Sequence, residues 1–255
     1  MNISIKEIAH TYHNFNQATT IVFLHDSLGC TALWRDFPER LARAAGMNAF
    51  SYDRLGYGQS PPFASDERSK DYMEKEVEIL TSVLEEHGIE NPVLFGHSDG
   101  GTIALLAAAK YPNAFQAVIT EGAHVFVEEE TIDGILRAKE QYATTNLKER
   151  LQKYHGANTQ PLFDAWTETW LSPMYRDWNI EVKLAGITCP VMVIQGSEDE
   201  YGTLAQVDAI LGGVSAVSKK CIVANAGHSP HKQSERWLIN ECCLFLEDVT
   251  NPKEL

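Results

Sequence analysis

Pro92-Val93-Leu94-Phe95-Gly96-His97-Ser98-Asp99-Gly100-Gly101-Thr102-Ile103-Ala104 is the stretch on which the reading of this chain turns. A short apolar run, residues 92–95, enters a G-x-S-x-G turn and leaves it in a stretch of helical spacing, residues 102–110. A serine at so sharp a strand-to-helix turn is held in a strained backbone conformation, and side chains on the flanking glycines would collide with neighbouring chain. The turn lifts the Ser98 hydroxyl out at the carboxyl end of the strand, beside the positive end of the following helix. Ser98 is the expected nucleophile, and a nucleophilic serine needs a base delivered from elsewhere in the chain.

Outward from this turn, short β-branched or aromatic runs alternate with longer helical patterns. Strands are expected at residues 20–24, 48–52, 92–95, 117–120, 191–195 and 220–223, and helices at 34–45, 71–86, 102–110, 203–211 and 231–247. Such alternation predicts an α/β fold, a mostly parallel sheet with crossover helices, and the apolar strands suit a sheet covered on both faces. Residues 2–12 alternate less regularly and are expected to supply one or two antiparallel edge strands.

The alternation stops between residues 123 and 186, where helical stretches pass without a buried strand. We read residues 124–186 as a helical cap inserted into an α/β core made of residues 1–123 and 187–255. Helices are expected at 131–142 and 147–154, and Leu162, Trp166 and Trp170 share a third helix face. Trp166, Trp170, Trp178, Phe163 and Tyr175 offer wall area for an apolar acyl or aromatic group. The ten acidic and seven basic residues of 124–186 form no basic funnel for polyanions.

Val191-Met192-Val193-Ile194-Gln195-Gly196-Ser197-Glu198-Asp199-Glu200 is a buried-strand signature ending in an acidic turn. Ala224-Asn225-Ala226-Gly227-His228-Ser229 follows the next strand and brings a histidine just before the last helix. Neutral imidazole can take the serine proton and return it to a leaving group when a carboxylate fixes its tautomer. His228 is the expected base, with Glu198, Asp199 and Glu200 all able to supply the acid. Both His228-x-x-His231 and His10-x-x-His13 lack further ligands at metal spacing, so no metal is expected. Asp53 and Arg54 are expected to fix their glycine-rich loop, and His97, Glu121 and His124 to be structural or pocket-wall residues.

The formal charge of −14, from 35 acidic and 21 basic side chains, argues against nucleic-acid binding and attachment to anionic membranes. The apolar run at residues 103–109 is too short for a membrane span, and no signal peptide is read near Met1, so the cytoplasm is the expected compartment. The five cysteines form neither an even disulfide set nor a C-x-x-C pair, and they are read as reduced core residues.

Serine, then acid, then histidine, each after a strand, resembles the α/β-hydrolase superfamily over nearly the whole chain. Residues 23–29, Phe-Leu-His-Asp-Ser-Leu-Gly, and 51–60, Ser-Tyr-Asp-Arg-Leu-Gly-Tyr-Gly-Gln-Ser, are similar to its H-G-x-x-G and D-x-x-G-x-G-x-S loops. The resemblance implies Asp199 as the acid, three residues past Gly196, and the backbone N–H groups of Ser27 and Asp99 as an oxyanion hole. It implies an acyl-enzyme hydrolase, carboxylesterase-like, acting on a small carboxylic ester, thioester or lactone without a cofactor; a homo-oligomer is compatible with it. Asp26 departs from the usual glycine, and Asp99 puts a carboxylate beside the nucleophile, its side chain expected to turn toward a helix-end or loop partner. The alternatives are a carbon-carbon bond hydrolase of aromatic breakdown, in which asparagine commonly replaces His97, and a non-catalytic small-molecule receptor. Ser98 argues against dehalogenases and epoxide hydrolases, which need an aspartate nucleophile.

Overall fold

The computed structural model describes residues 4–63 and 68–250. Its sheet has seven strands, β1 (His10–His13), β2 (Thr20–Leu24), β3 (Asn48–Tyr52), β4 (Val93–His97), β5 (Ala117–Glu121), β6 (Val191–Gly196) and β7 (Ser218–Val223), in the order β1-β3-β2-β4-β5-β6-β7. Only β1 runs antiparallel, paired with β3 from His10 opposite Tyr52 to His13 opposite Ala49. The other pairings are parallel.

Every residue of β2 to β6 is buried, which explains the absence of polar alternation in their sequences. The period-two geometry of strands divides these residues between two cores. Val22, Leu24, Leu94 and Val118 pack with α2 (Tyr72–Glu86) and α3 (Asp99–Lys110). Ile21, Phe23, Phe95 and Ile119 point the other way, toward Leu41 of α1 (Phe37–Ala45) and Leu238 and Phe245 near the chain end. A register slip of one residue would exchange the two sets, so packing on both faces fixes the register.

Between β5 and β6 the chain forms α4 (Glu129–Thr144), α5 (Leu147–His155) and α6 (Thr159–Leu171) before returning to the sheet. Its two ends meet at a neck, where the Ile180 N–H donates to the Val125 carbonyl at 2.8 Å and Phe126 bridges Asn179. Short α7 (Leu204–Gly213) joins β6 to β7, and α8 (Pro230–Gln233) and α9 (Glu235–Thr250) close the fold.

Several boundaries differ from those read in the sequence. The opening segment forms a 3-10 turn, Ile5–Glu7, and a single edge strand, while residues 2–3 lie outside the described residues. The helix expected at 34–45 is a 3-10 turn, Thr31–Trp34, followed by α1. Helix α3 begins at Asp99 because the poor helix formers Gly100 and Gly101 fall in its first turn, where helix propensity matters little. The last expected helix is two, separated at Ser234, whose N–H donates to the Pro230 carbonyl at 2.8 Å. Strand β7 starts earlier than expected because its first residues, Ser218-Lys219-Lys220, carry the polar sequence of a sheet edge.

Candidate active site

Ser98 stands between β4 and α3 with φ 54° and ψ −120°, a conformation that favours glycine. The Glu121 carbonyl accepts its N–H at 2.8 Å, and its own carbonyl accepts from the N–H groups of Gly101 and Thr102. The flanking glycines are sterically required: a Cβ on Gly96 would overlap the Gly100 carbonyl, and one on Gly100 would overlap the Leu24 carbonyl.

The β6 and β7 loops bring Asp199 and His228 together. The Nδ1 of His228 lies 2.9 Å from each carboxylate oxygen of Asp199. The Asp199 carboxylate also accepts from Gln195 Nε2 at 2.7 Å and from the Tyr201 N–H at 2.9 Å. Glu200 takes a different part, its Oε2 accepting the backbone N–H of His228 at 3.1 Å. Burial alone would lower the His228 pKa, but the charge and hydrogen bond of Asp199 outweigh it and hold the imidazole above its ordinary 6.5. Burial likewise opposes ionisation of Asp199, and His228 reverses that, keeping the carboxylate below its usual range.

Ser98, Asp99, Ser27 and His228 all border one cavity. Ser98 Oγ makes no hydrogen bond to His228 among the described residues, and the backbone N–H groups of Ser27 and Asp99 likewise have no acceptor among them. Ser27, Ser98 and Asp99 thus line the same cavity with these groups uncommitted among the described residues. Ile135, Trp166 and Trp170, from the helices between β5 and β6, line it.

The side chain of Asp99 turns to Tyr72, whose hydroxyl donates to Oδ2 at 3.1 Å, and to the fully buried Arg54, whose Nη2 is 3.6 Å from the same oxygen. Trp170 Nε1 donates to the Tyr72 hydroxyl at 3.1 Å, tying α6 to this pair. Arg54 Nη2 also donates to the Asp26 carbonyl at 3.0 Å, so this arginine braces the β2 loop as well as its own. Asp53 does the loop-fixing expected of it, accepting the N–H groups of Thr31 at 2.6 Å and Gln59 at 2.8 Å. Replacing Arg54 with Met would leave the Asp99 carboxylate buried without its counter-charge. The expected destabilisation is about 3 kcal/mol, a Tm lower by roughly 6–12 °C in a calorimetric scan.

Three contributions were missed in the sequence. Gly122, at φ 60°, leaves room for the His228 ring, since a Cβ there would come within 2.9 Å of Nδ1. His155 of α5 accepts the Gly58 N–H at Nδ1, 2.9 Å away, and donates from Nε2 to the Leu28 carbonyl at 3.0 Å, fastening α5 to the loops that follow β2 and β3. His97, Glu121 and His231 converge although they are distant in sequence, with potential ligand atoms within 4.8 Å of one another. The Glu-Gly sequence after β5 was the only local hint of Gly122; the other two contacts carry no local signal.

A doubly covered parallel sheet with a serine at the strained turn after β4, and a carboxylate-imidazole pair at the same rim, defines a class of α/β enzymes. The family profile described as alpha/beta hydrolase fold matches residues 19–180, and the chain belongs to that family. The chain is 23% identical over 195 residues to serine hydrolase BPHL of Mus musculus, covering 71% of this chain and 63% of that protein. The Homo sapiens counterpart is 27% identical over 158 residues, covering 58% and 52%. The aligned region thus spans between half and two thirds of these curated relatives. Among solved structures, a carboxylesterase of Nitrososphaera gargenis superposes with a TM-score of 0.78 at 17% identity, covering 96% of both chains, a likeness of fold. Among the described residues no helix is long and apolar enough to cross a membrane.

Proposed function

We propose that the protein hydrolyses a small carboxylic ester, thioester or lactone through an acyl-enzyme on Ser98. The observation that carries this reading is the Asp199–His228 pair, set on the cavity that Ser98 borders. His228 accepts the Ser98 proton as Oγ attacks the carbonyl, and Asp199 stabilises the imidazolium so formed. The N–H groups of Ser27 and Asp99 receive the negative oxygen of the tetrahedral intermediate. His228 then protonates the leaving group, and water repeats the sequence to free the acid.

Residues 124–186 act in this reading as a cap that excludes water and supplies the apolar wall, with Trp166 and Trp170 against the acyl or leaving group. The cavity wall carries Asp26 and Asp99 but neither lysine nor arginine among its lining residues. A neutral or weakly polar substrate fits that wall, and a multiply anionic one does not.

Mixing enzyme with a short-chain p-nitrophenyl ester in a stopped-flow instrument tests the reading. A phenolate burst near one equivalent per site, followed by slower turnover, is expected where deacylation limits; tight binding of the ester without any phenolate release would favour a receptor instead. The pH profile gives a further check. Because only neutral His228 can act as base and its pKa is raised, activity is expected to fall on acidification along a limb centred above pH 6.5. A limb centred below 6.5 would contradict the Asp199 contact.

A further inference from the structure

Beneath the cavity, three buried side chains join the nucleophile turn to the loop that carries the base. His97, the residue before Ser98, donates from Nε2 to the backbone carbonyl of His228 at 2.7 Å. A carbonyl can only accept, so the bond fixes the His97 proton on Nε2. Burial holds this imidazole well below its ordinary pKa, in the neutral form. Glu121 makes the second connection. Its backbone carbonyl receives the Ser98 N–H, while its carboxylate receives both the N–H and the Nδ1–H of His231, each at 2.6 Å. His231 lies in the first turn of α8, three residues beyond His228, and packs at a tilt against both Trp34 and Phe37, with ring centroids 4.9 and 5.3 Å away.

We propose that His97 and the Glu121–His231 pair form a rigid clamp that sets the spacing of Ser98 and His228, making these three residues positioning residues for the hydrolysis. The inference rests on the acyl-enzyme reading above. Each end of the clamp is a backbone group of a reacting residue or of its near neighbour, and none of the three side chains borders the cavity that Ser98 faces. The Glu121 bonds are buried and charge-assisted, the kind that hold geometry rather than yield to solvent, and the His97 bond is part-buried. A divalent cation is the competing occupant of the cluster, but both Glu121 oxygens already accept hydrogen bonds from His231.

A proton-transfer geometry relaxed by a fraction of an ångström loses rate without losing substrate affinity. His97→Leu removes the bond to the His228 carbonyl. Its kcat is expected to fall about 10- to 100-fold with KM within about twofold. The acid limb should also move to lower pH, because a loosened loop weakens the Asp199 contact that holds His228 high. The groups facing that imidazole are Asp199, Glu200 and Tyr201 from the β6 loop, Asp26 from the β2 loop, His97 before the nucleophile and His124 after β5; only His97 changes. His97→Gln, whose amide nitrogen reaches the place of Nε2, should restore kcat and the limb. Glu121→Gln, which leaves His231 Nδ1–H facing an amide donor or forces a tautomer change, is the second variant should His97→Leu not fold.

A residue that merely packs would lower Tm and leave kcat per titrated site and the limb unchanged; that outcome for His97→Leu and Glu121→Gln would overturn the clamp. So would stoichiometric zinc found by plasma mass spectrometry on protein purified without chelator. The reading beneath fails separately: turnover surviving in Ser98→Ala rejects the acyl-enzyme itself, whereas a dead Ser98→Ala with an unmoved His97→Leu limb rejects only the clamp.

Discussion

Ser98→Ala is expected to lose about a millionfold in kcat on any ester the protein turns over, a loss typical when a serine nucleophile is removed. The residual rate would come from the donors of Ser27 and Asp99 and from substrate binding, which need no hydroxyl. The fold should survive, because Ser98 borders the cavity and alanine suffers the same positive φ as serine. Ser98→Gly sharpens the point. Glycine tolerates φ 54° and ψ −120° without the roughly 1–3 kcal/mol of strain borne by other residues, an advantage partly offset by about 0.5–1 kcal/mol of chain entropy. It should be equally inactive and more stable than the unaltered protein in a denaturant titration. Together the two variants separate chemistry from folding: that pair of results would explain the strain kept at this position by the work of the hydroxyl.

Asp199→Asn should cost about 10⁴-fold in kcat with the fold intact. The carboxylate accepts three donors, from His228, Gln195 and the Tyr201 backbone, and an amide has only one oxygen to offer. If the amide group introduced at this position donates to His228 Nδ1, the imidazole proton moves to Nε2 and faces Ser98, where a lone pair is needed. The acid limb should move down as well, since burial then acts on His228 without the opposing charge. Glu200→Gln provides the comparison. Its contact is with the backbone N–H of His228, not with the ring, and the loss should be about tenfold or less. A greater loss in Glu200→Gln than in Asp199→Asn would show that the acid had been misassigned.

What could be read from sequence was what local chemistry encodes. The turn at Gly96-His97-Ser98-Asp99-Gly100 declares itself because sterics allow few residues there, and the apolar runs of β2 to β6 because both faces of the sheet are covered. The acid was harder. Glu198, Asp199 and Glu200 are chemically alike in sequence, and only the resemblance distinguished Asp199; in the fold it is Asp199 that meets the ring of His228. Contacts made by chain closure left no local trace. Glu121 and His231 are 110 residues apart, and His155 and Gly58 are 97 apart, so each reads alone as an ordinary residue of its segment. The same holds for Arg54, which looked like a loop residue and is also the counter-charge of Asp99. Boundaries failed where propensity and position disagree, as at the glycines that open α3 and the lysines at the edge of β7.

The most direct test of the account is to treat the unaltered protein with a small fluorophosphonate and locate the adduct by peptide mass spectrometry while following the loss of esterase activity. One phosphonyl group on Ser98, formed in step with inactivation, is the predicted result. Complete inactivation with Ser98 unmodified, or full activity with Ser98 modified, would contradict it.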